Sequence, residues 1–140
     1  VLEIDMLLRG DVAADSDLAY LLFNGDTTVG NYQSLVYSSD NLGTGRRTFS
    51  APVIADTTAG NSPSNSFAQV HVRISGYSEA SRLKTAIANV TLYYTSGVIQ
   101  RAMWTMVWKD TDAINQIQIV TDNDPTDEFD AGSWVQIRIL

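Results

Sequence analysis

The sequence predicts an all-β fold, an antiparallel β-sandwich of about nine strands with jelly-roll-like connections. Short runs of alternating apolar and polar residues recur along the whole chain, and turn-rich segments separate them. No apolar stripe with helical spacing is sustained long enough to compete with these runs. The 140 residues, 44% of them hydrophobic, are sufficient for one core, so we predict a single domain over residues 1–140.

The predicted strands of the first half are short and lie between polar turns. Residues 1–9 alternate between an apolar and a polar side, which indicates a strand with one buried face. Residues 18–23 are apolar on both sides, which predicts an interior strand that ends in an Asn-Gly-Asp turn. Two further strands are predicted over residues 32–37 and 49–54, and residues 56–66 are predicted to form a loop.

The alternation is clearest in the second half. In residues 67–75 the apolar side chains share one side, and His71 lies on the other side, towards solvent or a neighbour. The β-branched and aromatic residues from about residue 83 onward favour a strand over a helix. A Ser-Gly turn then leads into a strand over residues 98–109, which predicts a hairpin. The last predicted strands are residues 113–120 and 133–140.

The composition excludes several classes of function. A net charge of −7 and a pI of about 4.4 argue against nucleic-acid binding, which requires clustered Lys and Arg. The chain has no Cys and a single His, so zinc ribbons, iron–sulfur clusters and thiol catalysis are excluded. No apolar run approaches the roughly 20 residues that cross a bilayer. We expect neither nucleic acid nor a membrane as a partner.

The polar residues do not indicate a catalytic site. Nearly all Asp residues lie in predicted turns among Gly, Asn, Ser and Thr, where their side chains cap backbone N–H groups. His71 lies within a predicted strand and has no nucleophile elbow nearby, so a catalytic triad is not indicated. We interpret Arg46 and Arg47 as an exposed pair for an acidic neighbour. We expect no catalytic residues, and a hydrolase with paired loop carboxylates is the least favoured alternative.

The acidic run at residues 122–128 is the strongest candidate for a cofactor site, and a second cluster, Asp11, Asp15 and Asp17, is a weaker one. Asp122, Asp124, Asp127 and Glu128 place oxygen atoms close together, as a calcium-binding loop does. The run has Asp127 where an EF-hand loop requires Gly, and no predicted helices flank it. We therefore favour a solvated acidic loop over a Ca²⁺ site, and expect no other metal or cofactor.

The aromatic residues divide into core and surface candidates. Trp104 and Trp108 are in register with apolar neighbours, which predicts that they lie in the core. Trp134 lies on the polar side of the last strand and is a candidate contact residue. A carbohydrate-binding module is the alternative function, in which Trp134, Tyr32 or Tyr37 stacks on sugar rings and loop Asp and Asn residues bind the hydroxyl groups.

Several motifs in this chain have a counterpart in known proteins. They are LLRG at 7–10, LLFNGD at 21–26, WKDTDAI at 108–114 and FDAGS at 129–133. Taken together, the chain resembles small β-rich bacteriophage virion proteins and the C-terminal domains of tail-fibre-like proteins. The resemblance covers almost the whole chain and rests on turns and strand starts. The ending QIRIL departs from the aromatic-Gly pair on which such proteins tend to close, so the family does not predict how this C-terminus packs.

The resemblance implies a non-enzymatic virion structural protein on the exterior of the phage particle. It implies either a tail-fibre, receptor-binding domain or a capsid decoration protein, and an extra strand ahead of Val1 in a longer product. The implied partners are the chain itself, as a trimer or another symmetric oligomer, other virion proteins, and a glycan or receptor on the host surface. Because Trp, Tyr and Arg dominate interface energetics, we expect Trp134, Tyr94 and Arg138 to anchor the oligomer.

Overall fold

Ten strands in two antiparallel sheets are present in the computed structural model, which describes residues 1–95, 97–121 and 127–140. The predicted all-β sandwich is confirmed, with ten strands in place of about nine. The strands are β1 (Leu2–Leu8), β2 (Ser16–Phe23), β3 (Tyr32–Asp40), β4 (Gly43–Phe49), β5 (Val53–Thr58), β6 (Ala68–Ser75), β7 (Lys84–Thr95), β8 (Val98–Trp108), β9 (Ile117–Thr121) and β10 (Trp134–Ile139).

The two sheets are unequal in size. The large sheet has the order β10-β1-β6-β7-β8-β3-β4, and the small sheet has the order β5-β2-β9. The chain passes repeatedly between the sheets, because β2, β5 and β9 lie in the small sheet and the strands before and after each of them lie in the large one. A short 3₁₀ turn at Val29–Asn31 precedes β3. None of the helical residues described here forms a segment long and apolar enough to span a membrane.

The strand that the sequence pattern did not predict is β4. Its residues are largely polar and six of the seven are exposed, because it is an edge strand that the small sheet leaves uncovered. An edge strand exposed on both faces has no apolar alternation from which it could be recognised. The following strand also differs from the prediction. Residues 56–58, assigned to a loop, form the end of β5 and are buried in spite of their polar composition.

The core lies between the small sheet and the inner face of the large sheet. Every second residue of β1, β6, β7 and β8 faces inward, as the period of two requires. Trp104 and Trp108 are fully buried, which confirms their predicted place in the core. From the small sheet, Leu21 and Phe23 belong to the same cluster. Full burial of each such large side chain contributes about 1.5–3 kcal/mol to stability.

The opposite, outer face of the large sheet is not covered by any described element. Its middle row crosses all seven strands in register, from the β4 edge to the β10 edge. The row consists of Arg46, Tyr37, Met103, Asn89, His71, Asp5 and Gln136. The placement of His71 on the polar side of its strand is confirmed, since its Nδ1 lies 2.6 Å from Asp5 Oδ1.

Candidate interaction surfaces

A row of exposed aliphatic side chains lies on β10. This strand pairs with β1 on one side, and on its other side no described strand pairs with it. Val135, Ile137 and Ile139 are 45%, 51% and 70% exposed. Their partners on β1 are buried, so the small sheet covers β1 and leaves β10 uncovered. The inner face of the large sheet therefore ends in an aliphatic row that is open to solvent.

A hollow of about 250 Å³ lies beside this row. It is an open depression between the two sheets at the β9 side of the sandwich, and Ile137 forms part of its wall. Its other lining residues are mainly apolar or carry amide groups. They are Leu2, Tyr77, Ile114, Asn115, Gln116 and Ile117. The hollow extends the aliphatic row inward, towards the core.

Ion pairs hold the outer side of β10 against β1. The Arg138 guanidinium contacts the carboxylates of both Glu3, at 3.7 Å, and Asp5. On the other side of β1, Arg73 Nε lies 3.5 Å from Glu3 Oε1 and His71 contacts Asp5. The hydrogen bond from His71 and the charge of Arg138 lower the pKa of Asp5 from its usual value of 3.8. These charged groups add cross-strand ion pairs to the backbone pairing of β10 with β1.

The structure brings together two of the three predicted interface anchors. Trp134 and Arg138 lie on the outer side of β10, and both are close to half exposed. Tyr94 lies on β7, three places away in the sheet order, and its hydroxyl donates a hydrogen bond to Asp40 Oδ2 at 3.4 Å. Desolvation and the nearby Asp40 carboxylate raise the pKa of Tyr94. Tyr94 therefore belongs to a different part of the surface.

A shallow groove of about 670 Å³ lies over β3, β4, β7 and β8. Its walls carry the exposed side chains of Tyr37, Arg46, Asn89, Arg101 and Met103, mainly on the outer face of the large sheet. Its remaining lining residues are small. They are Ser38, Ser39, Thr44, Gly45 and Ala102. We refer to this surface below as the Tyr37 groove. The sequence indicates Tyr37 as a sugar-stacking candidate but not the groove around it, because the lining residues come from four separate strands.

Only one of the two tyrosines considered for sugar stacking is accessible. Tyr32 is fully buried, so the expectation that it stacks on a sugar was wrong. Its hydroxyl accepts a hydrogen bond from the Phe23 N–H and donates one to the Asp26 carbonyl, and burial raises the pKa of Tyr32 to about 12. Tyr37 is half exposed in the groove. Trp134 is also exposed, but it lies on β10, at the opposite edge of the sheet.

The acidic run considered for Ca²⁺ falls partly outside the described residues, which exclude Asp122 and Asp124. Of its described members, Glu128 donates its backbone N–H to Asp11 Oδ1 at 3.0 Å. The Asp127 carbonyl accepts a hydrogen bond from Thr121 Oγ1 at 2.9 Å. Within the described ranges, no three carboxylate or imidazole side chains are grouped so that they could hold a metal ion.

Comparisons with protein-family models, with curated proteins and with solved structures found no match to this chain.

Proposed function

We propose that the chain is a non-enzymatic structural protein of a bacteriophage particle, displayed on the particle's outer surface and assembled with copies of itself through β10. The observation that carries this proposal is the uncovered aliphatic row of Val135, Ile137 and Ile139, beside a strand edge with which no described strand pairs. A long exposed apolar edge strand promotes uncontrolled association unless a specific neighbour covers it. In an assembled particle, each copy of the chain lies next to other copies, and one of these can cover the edge strand.

Burial of the aliphatic row of β10 offsets part of the cost of an oligomer contact. About half or more of each of its three side chains is available for burial, so each contributes about 1 kcal/mol when it is covered. Since both copies contribute such side chains, their burial amounts to about 6 kcal/mol, which lies within the range of the cost of association. The unpaired backbone groups of the β10 edge add hydrogen bonds if the strands also pair.

The geometry of β10 is compatible with two kinds of symmetric contact. Edge-to-edge pairing of two antiparallel β10 strands gives a two-fold dimer. Alternatively, the aliphatic row packs against the next copy around a three-fold axis, without pairing of the β10 edges. This arrangement gives the expected trimer. The proposal takes the trimer, because it agrees with the resemblance to tail-fibre-like domains. A capsid decoration protein would use the same apolar row on the capsid lattice.

The experiment that tests this proposal compares two matched charge insertions. Ile137→Glu places a carboxylate in the aliphatic row, and Ile99→Glu places one at a similarly exposed position on β8. We expect sedimentation velocity to show that Ile137→Glu converts the oligomer to monomer while Ile99→Glu leaves it intact. The proposal is wrong if both variants retain the wild-type oligomer, or if the wild-type chain is itself a monomer at high concentration.

A further inference from the structure

We propose that the Tyr37 groove binds an acidic oligosaccharide, with a sugar ring against Tyr37 and anionic groups at Arg46 and at Arg101. This inference concerns a site at the opposite edge of the large sheet from β10 and does not rest on the proposed assembly. It is carried by the charge of the two arginines, by the composition of the groove and by the spacing of its strands.

Arg46 and Arg101 stand apart from the other arginines of the chain. The chain has seven arginines, and five of them make ion pairs with carboxylates. The two that have no carboxylate partner among the described residues are Arg46 and Arg101, and both line the Tyr37 groove. In a protein with 16 acidic residues, two guanidinium groups that line one groove and have no carboxylate partner among the described residues favour an external anion.

The groove contains no carboxylate that could compete for these cations. None of its lining residues is Asp or Glu, although the chain as a whole has a net charge of −7. Asp40 lines an adjoining hollow, but its carboxylate accepts hydrogen bonds from the N–H groups of Leu42 and Gly43 and from Tyr94. The Tyr37 groove is therefore a locally positive surface on an acidic protein, which selects an anionic ligand.

The sheet register places the two arginines on either side of Tyr37. Arg46 on β4 lies directly opposite Tyr37 on β3, and Arg101 on β8 lies opposite Ser39, two residues further along β3. Strands that flank a common neighbour are about 10 Å apart, and two residues advance a strand by about 7 Å. A ligand that spans both guanidinium groups must therefore be about the length of two sugar units.

The remaining groups suit a sugar better than an acidic peptide. The exposed ring of Tyr37 and the side chain of Met103 offer a flat apolar surface for the C–H groups of a sugar ring. Ser39, Thr44 and Asn89 offer neutral donors and acceptors for hydroxyl groups. The groove has no deep apolar pocket for the anchoring side chain of a peptide. A shallow, hydroxyl-rich surface with two cations matches an acidic oligosaccharide.

The test measures the binding of four probes to the full chain by isothermal titration calorimetry. The probes are an oligogalacturonate, a sulfated galactose oligomer and a neutral galactose oligomer of equal length, and a poly-glutamate peptide. We expect at least one acidic sugar to bind about tenfold more tightly than the neutral one, and to bind more weakly as salt is raised. Comparison of the two acidic sugars identifies the anionic group as a carboxylate or a sulfate.

Variants assign the binding to the groove. Arg46→Gln, Arg101→Gln and Tyr37→Ala are each expected to weaken acidic-sugar binding about tenfold. Arg82→Gln is the matched control, because it removes the same charge from an exposed site outside the groove and should change the affinity less than twofold. All four positions are exposed, so the thermal unfolding of the variants should match that of the wild type.

Three results would overturn the inference. The first is the absence of binding by both acidic sugars at low salt. The second is an equal loss of binding in Arg82→Gln and in the groove variants, which would indicate general electrostatic attraction to the surface. The third is tighter binding of poly-glutamate than of either acidic sugar, which would make the groove a site for acidic peptides.

Discussion

The Arg9 guanidinium donates its Nε–H to Asp130 Oδ2 at 2.8 Å and so ties the end of β1 to the segment that leads into β10. Its four other N–H groups are also satisfied, each by a backbone carbonyl of the loop between β5 and β6. The acceptors are the carbonyl oxygens of Gly60, Ser62, Pro63 and Ser66. One buried side chain thus holds together a loop, a strand end and the approach to the proposed interface.

Replacement of Arg9 should therefore destabilise the whole domain. Arg9→Ala leaves Asp130 and four carbonyl groups without their donor, and we expect the free energy of unfolding to fall by about 3–5 kcal/mol. Arg9→Lys keeps the charge but not the fork of five donors, so it should recover only part of this loss. Urea unfolding measures both variants. Arg82→Ala, at a largely exposed ion pair, should change stability by less than about 0.5 kcal/mol, and an equally small effect of Arg9→Ala would contradict the assigned role.

The hydrogen bonds of Asp26 predict a loss of stability in acid. Burial raises the pKa of Asp26, but hydrogen bonds from Trp108 Nε1, Asn31 Nδ2 and the Thr28 N–H outweigh it and hold the pKa below its usual value of 3.8. Below about pH 3.8 the unfolded chain thus binds more protons at Asp26 than the folded chain does. The stability that Asp26 contributes is therefore present above that pH and is lost as the pH falls through the lowered pKa.

Asp26→Asn removes this titration and tests it. At neutral pH the variant should be less stable than the wild type by about 1–2 kcal/mol, because charge-assisted hydrogen bonds become neutral ones. The difference should shrink as the pH falls below 3.8. Urea midpoints measured for both proteins across this pH range give the difference directly. A gap that stays constant down to the most acidic pH would contradict the assignment.

The close approach of Gly60 to the turn after β1 predicts that no side chain is tolerated there. A Cβ atom at Gly60 would lie 2.8 Å from the Val12 carbonyl oxygen and 3.1 Å from that of Asp11, both of them backbone atoms. We expect Gly60→Ala to lower stability by about 1–3 kcal/mol. Gly30→Ala is the control, since nothing lies within 4 Å of its Cβ position. Thermal unfolding of the two variants should separate them, and equal midpoints would show that the turn can move away.

Of the three expected interface anchors, the two on β10 should contribute to self-association, and Tyr94 should not. Trp134→Ala removes an exposed ring from the outer side of β10, the strand that also carries the aliphatic row, and we expect it to weaken self-association about tenfold. Tyr94→Phe removes a hydroxyl that bonds to Asp40 on another part of the sheet, and should leave self-association unchanged. Sedimentation equilibrium of both variants tests this difference. A stronger effect of Tyr94→Phe would place the interface elsewhere on the sandwich.

Much of the fold follows from the alternation of apolar and polar residues, and its exceptions have a physical cause. The pattern predicts that Val135, Ile137 and Ile139 share one side of a strand, and the structure confirms it. It does not reveal that these side chains are exposed, because exposure depends on whether the small sheet extends over β10. The exposure of the row depends on how the two sheets pack together, and this packing cannot be predicted from the sequence of one strand.

The arginines of β4 also show what the alternation of apolar and polar residues cannot predict. Arg46 and Arg47 are both exposed, as the sequence predicts, but they point to opposite faces of β4, as adjacent residues of a strand do. Arg46 lies on the outer face, while Arg47 Nη2 contacts Asp56 Oδ2 at 2.5 Å and so links β4 to the small sheet. Burial raises the pKa of Asp56, and the charge of Arg47 opposes that shift. The Tyr37 groove could not be predicted because β4, which supplies Arg46, was not recognised as a strand.

Self-association through β10 determines the solution mass of the wild-type chain. Sedimentation equilibrium from low to high micromolar concentration, with and without a calcium chelator, measures this mass. We expect three times the monomer mass of 15.3 kDa, unchanged by the chelator. A mass of 15.3 kDa at every concentration would show that β10 does not mediate self-association.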